Sequence, residues 1–193
     1  ADGTTIVGNA SSDLTEYGSR AYQWRDDGNG LLDLGTLRTD NSGVSIAARV
    51  SADGSVIVGQ AQDDEGNGRA VRWTNDGTEI LDLGTLKADN SGQSGAIAAS
   101  ADGSVIVGGA ESDDAALRAI RWTEDGTVKL DLGTLRADNS GQSVAYDVSA
   151  DGSVIVGGAA FDRPQLPDIE ITRQATNDDS DPVLRAFIWR TEM

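Results

Sequence analysis

Trp24, Trp73 and Trp122 stand 49 residues apart, and two further signatures keep the same spacing. The run LDLGTL recurs at 32–37, 81–86 and 130–135. SADGSVIVG recurs at 51–59, 100–108 and 149–157, with a relative, ADGTTIVG, at 1–8. Several anchors sharing one period mean that a single supersecondary unit is built repeatedly, each copy burying its apolar face against the next. This feature constrains the fold before composition is considered.

Each unit holds four strand candidates separated by turn residues. The first is SVAYDVS (143–149), in which Val144, Tyr146 and Val148 alternate with smaller or polar residues. The turn Ala150-Asp151-Gly152-Ser153 follows, its Asp-Gly pair supplying the left-handed conformations of a tight hairpin. The second strand is SVIVGG (153–158), whose uninterrupted Val154-Ile155-Val156 predicts burial on both faces. The third type is RAIRW (118–122), and the fourth is VKLDLGTL (128–135), which runs into the polar link RADNSGQ (136–142). Alanine holds one place in every first strand, at Ala47, Ala96 and Ala145, which suits a crowded innermost strand.

Four short strands in 49 residues predict an all-β, β-propeller-like array of four-stranded antiparallel blades, since propeller repeats run about 40–50 residues. A β-solenoid is the alternative. The chain reads as a single repeat domain over 1–193, with units near 1–44, 45–93, 94–142 and 143–193. One stretch breaks the period. Trp122 to Trp189 is longer than a repeat, and the excess lies in 159–184, which holds all three prolines, Pro164, Pro167 and Pro182. It is expected to be an inserted loop, on the same end of the array as the polar links, and long loops of this kind are often recognition elements.

The DLGTL run, the polar link, the A-x-x-V-S-A-D-G-S-V-I-V-G hairpin and the R-A-x-x-W strand together resemble the HAF repeat of bacterial extracellular proteins and autotransporter passenger regions. Its naming tripeptide is replaced here by Arg20-Ala21-Tyr22, Arg69-Ala70-Val71, Arg118-Ala119-Ile120 and Arg185-Ala186-Phe187. The resemblance covers the chain outside 159–184. It implies export and a surface or secreted setting, and it implies no reaction.

Composition removes several functions. The chain has no cysteine, hence no disulfide, thiolate catalysis or Cys-ligated metal. It has no histidine, hence no Ser-His-Asp triad. Thirty-two acidic against fifteen basic residues give a net charge of −17, which repels nucleic acid and anionic membranes. No apolar stretch approaches the roughly 18 residues of a membrane-spanning helix. Residue 1 already lies in a repeat, so any targeting signal is expected outside these residues.

The links Asp40-Asn41, Asp89-Asn90 and Asp138-Asn139, each followed by Ser-Gly, offer oxygen ligands that calcium accepts. Their spacing matches neither an EF-hand nor the calcium-binding nonapeptide, and the same residues are favoured by tight turns. No cofactor and no metal site are therefore assigned. With the acidic Asp178, Asp179 and Asp181 of the insertion, these links form the candidate binding face. Arg69 and Arg118 are expected to pair with Asp82 and Asp131 on the neighbouring strand. The tryptophans are expected to pack between units rather than to form a sugar-stacking row. Asp113 and Asp114 could serve as a glycosidase pair, but 32 acids make chance pairs inevitable.

The function expected is an extracellular or cell-surface interaction module, for adhesion or display, whose partner is a surface protein or glycan. Two other readings stand beside it: a self-assembling spacer, and a carbohydrate-active enzyme using carboxylates. Counting strands gives three, four, four and three. This count cannot close a regular ring, so the chain is expected either to belong to a longer repeat protein or to complete itself by association.

Overall fold

The computed structural model describes residues 4–11, 18–26, 30–74, 76–77, 79–162 and 184–190. Among these residues there are fourteen β-strands and no helix, arranged as four antiparallel sheets of consecutive strands. The first sheet contains β1 (Thr5–Ser11), β2 (Ser19–Arg25) and β3 (Gly30–Asp33). The second contains β4 (Ser45–Val50), β5 (Val56–Gln62), β6 (Gly68–Thr74) and β7 (Ile80–Asp82). The third contains β8 (Ser94–Ala99), β9 (Val105–Glu111), β10 (Leu117–Thr123) and β11 (Lys129–Asp131). The fourth contains β12 (Ser143–Val148), β13 (Val154–Ala160) and β14 (Leu184–Arg190). Separate antiparallel meanders are not the stacked parallel rungs of the solenoid alternative.

The hairpin between the first two strands of a unit is built by its sequence. In the second sheet Gly54 N–H donates to Ser51 O (3.0 Å), and Gly54 alone is left-handed, with φ 76°. The Asp53 carboxylate accepts from the Ser51 hydroxyl (2.6 Å) and from Ser55 N–H (2.9 Å). The aspartate therefore braces the turn through its side chain while its backbone stays in the ordinary region, unlike the Asp-Gly pair expected from sequence. Only glycine reaches positive φ here without the Cβ clash.

The fourth strand of each unit is shorter than its sequence suggests. β11 ends at Asp131 because Gly133 turns left-handed (φ 76°) and its N–H is taken by Asp131 Oδ1 (2.7 Å). Glycines also set the register of the first strands. A β-bulge falls between Ala47 and Arg49, between Ala96 and Ala98, and between Ala145 and Asp147. Opposite each bulge stands Gly59, Gly108 or Gly157, where an added Cβ would run into the backbone carbonyl of Ile46, Gly95 or Val144.

The core lies between the sheets. The Val- and Ala-bearing face of one sheet packs on the Ile- and Trp-bearing face of the next. Val56, Val58, Ala70 and Leu83 of the second sheet meet Ala96, Ile106, Ile120 and Trp122 of the third. Ala21 and Leu34 of the first sheet meet Ile57, Val71 and Trp73, and Val105, Val107 and Ala119 of the third meet Ala145 and Ile155. Trp73 and Trp122 are fully buried between sheets, and Trp189 packs against the cluster between the third and fourth, so these three pack between units. Trp24 is only partly buried and, among the described residues, joins no core cluster. Burial of the valine runs on both faces holds for β5 and β9 and fails for β13. There Val156 is 39% exposed because, among the described residues, no sheet stands against the outer face of the fourth.

Candidate functional site

The polar residues that recur from unit to unit are engaged in holding the sheets together. Arg69 is buried at the start of β6. Its guanidinium donates to Asp82 Oδ2 (2.9 Å) and to Gly92 O (2.9 Å), so it ties the third strand, the fourth strand and the following link. Arg20 makes the same bonds to Asp33 and to Gly43 O, and Arg118 forms an ion pair with Asp131 (3.3 Å) and donates to Gly141 O. The ion pairs expected for Arg69 and Arg118 are therefore present. Buried serines at the head of each first strand add a stitch between sheets: Ser45, Ser94 and Ser143 Oγ accept from Ala21, Ala70 and Ala119 N–H at 2.9–3.0 Å.

The candidate link residues occupy the sheet-to-sheet junctions, one pair per junction. Asn41, Asn90 and Asn139 are left-handed (φ 53°, 57° and 55°), and their Oδ1 atoms accept from Thr36, Thr85 and Thr134 N–H at 2.7–2.9 Å. Asp40, Asp89 and Asp138 accept from the N–H of Ser42, Ser91 and Ser140, each at 2.9 Å. Those backbone donors, followed by the serine hydroxyls, hold all three carboxyls below the usual aspartate range. Asp178, Asp179 and Asp181 lie outside the described residues, as does 163–183 of the insertion.

The two residues that open the insertion are described. Phe161 makes a parallel bridge with Leu135, and Asp162 Oδ2 accepts from Ala137 N–H (2.9 Å). Asp113 and Asp64 occupy the equivalent turns and accept from Ala88 and Thr39 N–H. The insertion thus leaves the fourth sheet beside the third link. Asp114 is committed as well, accepting from Ala116 N–H (3.2 Å) and from the Ser112 hydroxyl. Asp113 and Asp114 are therefore used as turn braces.

A different surface is left free. The first strands β4, β8 and β12 lie side by side, and between them runs a groove of about 350 Å³, within the size range of small-ligand sites. Ile46, Ala48, Ile97, Val144 and Leu117 supply its apolar walls, and glycines at 59, 95 and 109 leave it open. The Gln60 amide crosses it to donate to Ser94 O (2.9 Å). Gln60, Gln93 and Ile46 also border an adjoining hollow of about 240 Å³ that reaches the β5–β6 turn at Gly66. At the rim, Arg49 of β4 and Asp147 of β12 reach across β8 to within 3.7 Å of each other.

Alternation along β4, β8 and β12 puts these side chains on the groove face, and each strand carries a bulge there. A bulge leaves one residue of the strand without a ladder partner. That residue is Ala48, Ile97 or Tyr146, according to the unit. Here the repeat departs from itself: Ile46, Gly95 and Val144 occupy one equivalent position, Ala48, Ile97 and Tyr146 a second, and Arg49, Ala98 and Asp147 a third. The flanking Ser45-x-Ala47 pattern is kept in each unit. Sequence reasoning centred on the links missed this surface. Its available signal was the set of positions at which aligned units disagree.

No family model matches the chain, and no curated protein sequence matches it. Solved structures do. A protein assigned as TolB from Agrobacterium tumefaciens superposes with a TM-score of 0.61 at 15% identity, over 98% of this chain and 58% of that one. TolB from Acinetobacter baumannii superposes with a TM-score of 0.51 at 17% identity, over 83% of this chain and 38% of that one. The chain therefore spans little more than half of the first structure and less than half of the second. At these identities the likeness concerns the fold alone, which is that of a β-propeller-like array of antiparallel sheets.

Proposed function

We propose that the chain is a non-catalytic interaction module, built from propeller blades of four strands that recur every 49 residues, and that it holds an apolar segment of a partner protein in the inner-strand groove. The observation that carries this reading is the bulged position of β4, β8 and β12. Residues whose role is packing or turn formation repeat from unit to unit, whereas Ile46, Gly95 and Val144, and Ala48 and Ile97 at the bulges, differ between units and line an apolar hollow. The common fold constrains the first set, whereas the second is left open to be shaped by an external contact. The lining favours aliphatic or aromatic side chains over a glycan, whose hydroxyls would meet few polar partners there.

An extracellular or cell-surface setting is part of the proposal. It rests on the likeness of the repeat to the HAF type, and the fold likeness to two TolB structures is compatible with it. The test is a peptide library displayed against the purified chain. Binders should lose at least roughly tenfold in affinity on Ile97→Arg, about 1.4 kcal/mol, and should be indifferent to Asp89→Ala in the link. Binders that respond to Asp89→Ala and ignore Ile97→Arg would return the site to the link face.

A further inference from the structure

The groove follows the edge of a strand as well as a face. The unbroken run 93–97 along β8 borders it, whereas a groove lying on one face of a strand would meet only every second residue. β8 ends its sheet, paired with β9 on one side, and among the described residues no strand pairs with its other side. Glu111 N–H donates to Gln93 O, so the backbone groups of Gln93 and Gly95 face β9 and those of Ser94 and Ala96 face the groove. The Gln60 amide reaches Ser94 O from that side, out of the neighbouring sheet.

One of these edge groups is left over. In the first unit Asn9 Oδ1 accepts from the N–H of Ala47, the equivalent of Ala96, at 2.9 Å. Asn9 and Gln60 hold the same position, opposite Ala21 and Ala70 of the adjoining strands. Gln60 is longer by one methylene, and its amide lies on Ser94 O (2.9 Å) instead. Among the described residues nothing accepts from Ala96 N–H outside its sheet, although Ala96 is buried and borders the groove. A buried N–H without an acceptor is unfavourable and rare.

We propose that the partner segment enters the groove as an extended strand along the edge of β8, one of its carbonyls accepting from Ala96 N–H and every second side chain set against the apolar walls. This rests on the groove as the binding surface and adds how the segment is held. Ser94 O and Ala96 N–H stand two residues apart, the acceptor and donor to which one residue of an added strand bonds. Gln60 covers the acceptor and leaves the donor open, whereas Asn9 closes the donor at the preceding junction. A helical segment spends its carbonyls on its own backbone, except in its last turn.

Two displayed libraries of peptides of about nine residues test this. Both carry the same number of apolar positions, filled from Val, Ile, Leu and Phe, with serine elsewhere. One alternates them, and the other spaces them at i, i+3, i+4 and i+7. Binders that lose affinity on Ile97→Arg should come from the alternating library. For the tightest of them, Gln60→Asn gives the second unit the first unit's residue and should weaken binding roughly tenfold, because the shorter amide takes Ala96 N–H. Gln60→Ala frees Ser94 O and should tighten binding by about two- to tenfold. In the isotope-labelled wild-type chain, the Ala96 amide should exchange faster than that of Gly95 and become protected when the peptide is added, a readout that needs no variant. Three results would overturn the inference and leave the groove standing, provided that binding still responds to Ile97→Arg. They are an Ala96 amide as protected as Gly95 in the free chain, binders drawn from the helically spaced library, and a Gln60→Asn variant that binds no more weakly than wild type. Absence of any binder sensitive to Ile97→Arg would overturn both readings.

Discussion

The guanidinium of Arg69 lies 2.9 Å from Asp82 Oδ2, the arginine buried and the aspartate part-exposed, and the other carboxylate oxygen of Asp82 holds Gly84 N–H at 2.7 Å. One aspartate thus fixes both the third strand and the turn that ends the fourth. Arg69→Ala removes this pair and the bond to Gly92 O together, and it should cost about 2–3 kcal/mol. Urea denaturation followed by tryptophan fluorescence measures it. Asp82→Asn retains an acceptor for Gly84 and should cost less.

Asn41 combines a left-handed backbone with an amide oxygen that accepts from Thr36 N–H and from the Arg20 guanidinium. Asn41→Ala loses both features and should destabilise by about 1–2 kcal/mol. Asn41→Gly restores the backbone freedom without the acceptor and should recover roughly half of that loss. Melting temperatures of the three proteins separate the two contributions, and equal losses for Ala and Gly would assign the whole effect to the hydrogen bonds.

Gly108 faces the bulge in β8, and a methyl group there would overlap Gly95 O, which belongs to a paired strand and cannot rotate away. Gly108→Ala should cost about 2–3 kcal/mol although it adds one carbon. Gly66→Ala has open space around it, so only the left-handed backbone (φ 84°) resists, and its cost should be about 1 kcal/mol. Reversal of that order would mean that the bulge is not the feature that excludes a side chain.

Asp102 is lowered to about 2 from 3.8, first by the Ser100 hydroxyl and then by the N–H and hydroxyl of Ser104. Asp151 is lowered to about 2 in the same way by Ser149 and Ser153. A carboxylate with a depressed folded-state pKa contributes stability that is complete above its unfolded pKa and disappears as pH falls through the folded one. The stability gap between the wild type and Asp102→Asn should therefore be constant from neutral pH down to about 4 and should close toward pH 2. A gap that persists at pH 2 would show that the aspartate acts through shape rather than charge.

Much of the architecture is written locally. The Ser-x-Asp-Gly-Ser turns, the short Val-Ile runs and the Arg and Asp of adjacent strands each specify their own geometry through neighbours less than twenty residues away, so they could be read directly from the chain. The groove could not be read this way. Ala48, Ile97 and Tyr146 look like ordinary strand residues, and only the pairing of β4, β8 and β12 shows that each is the unpaired residue of a bulge opposite Gly59, Gly108 or Gly157. The link asparagines looked like ligands because the donors they satisfy, Thr36, Thr85 and Thr134 N–H, are backbone groups of the preceding turn, which side-chain types do not reveal.

The sequence by itself determined the period, the strands and the hairpins, because turn chemistry and alternation act over a few residues. Tertiary structure alone decided which of the repeated residues are core. Val58, Val107 and Val156 occupy one position in nearly identical runs, yet two are fully buried and the third is 39% exposed. The difference lies in whether another sheet stands against them, since burial is a property of the neighbour and not of the residue.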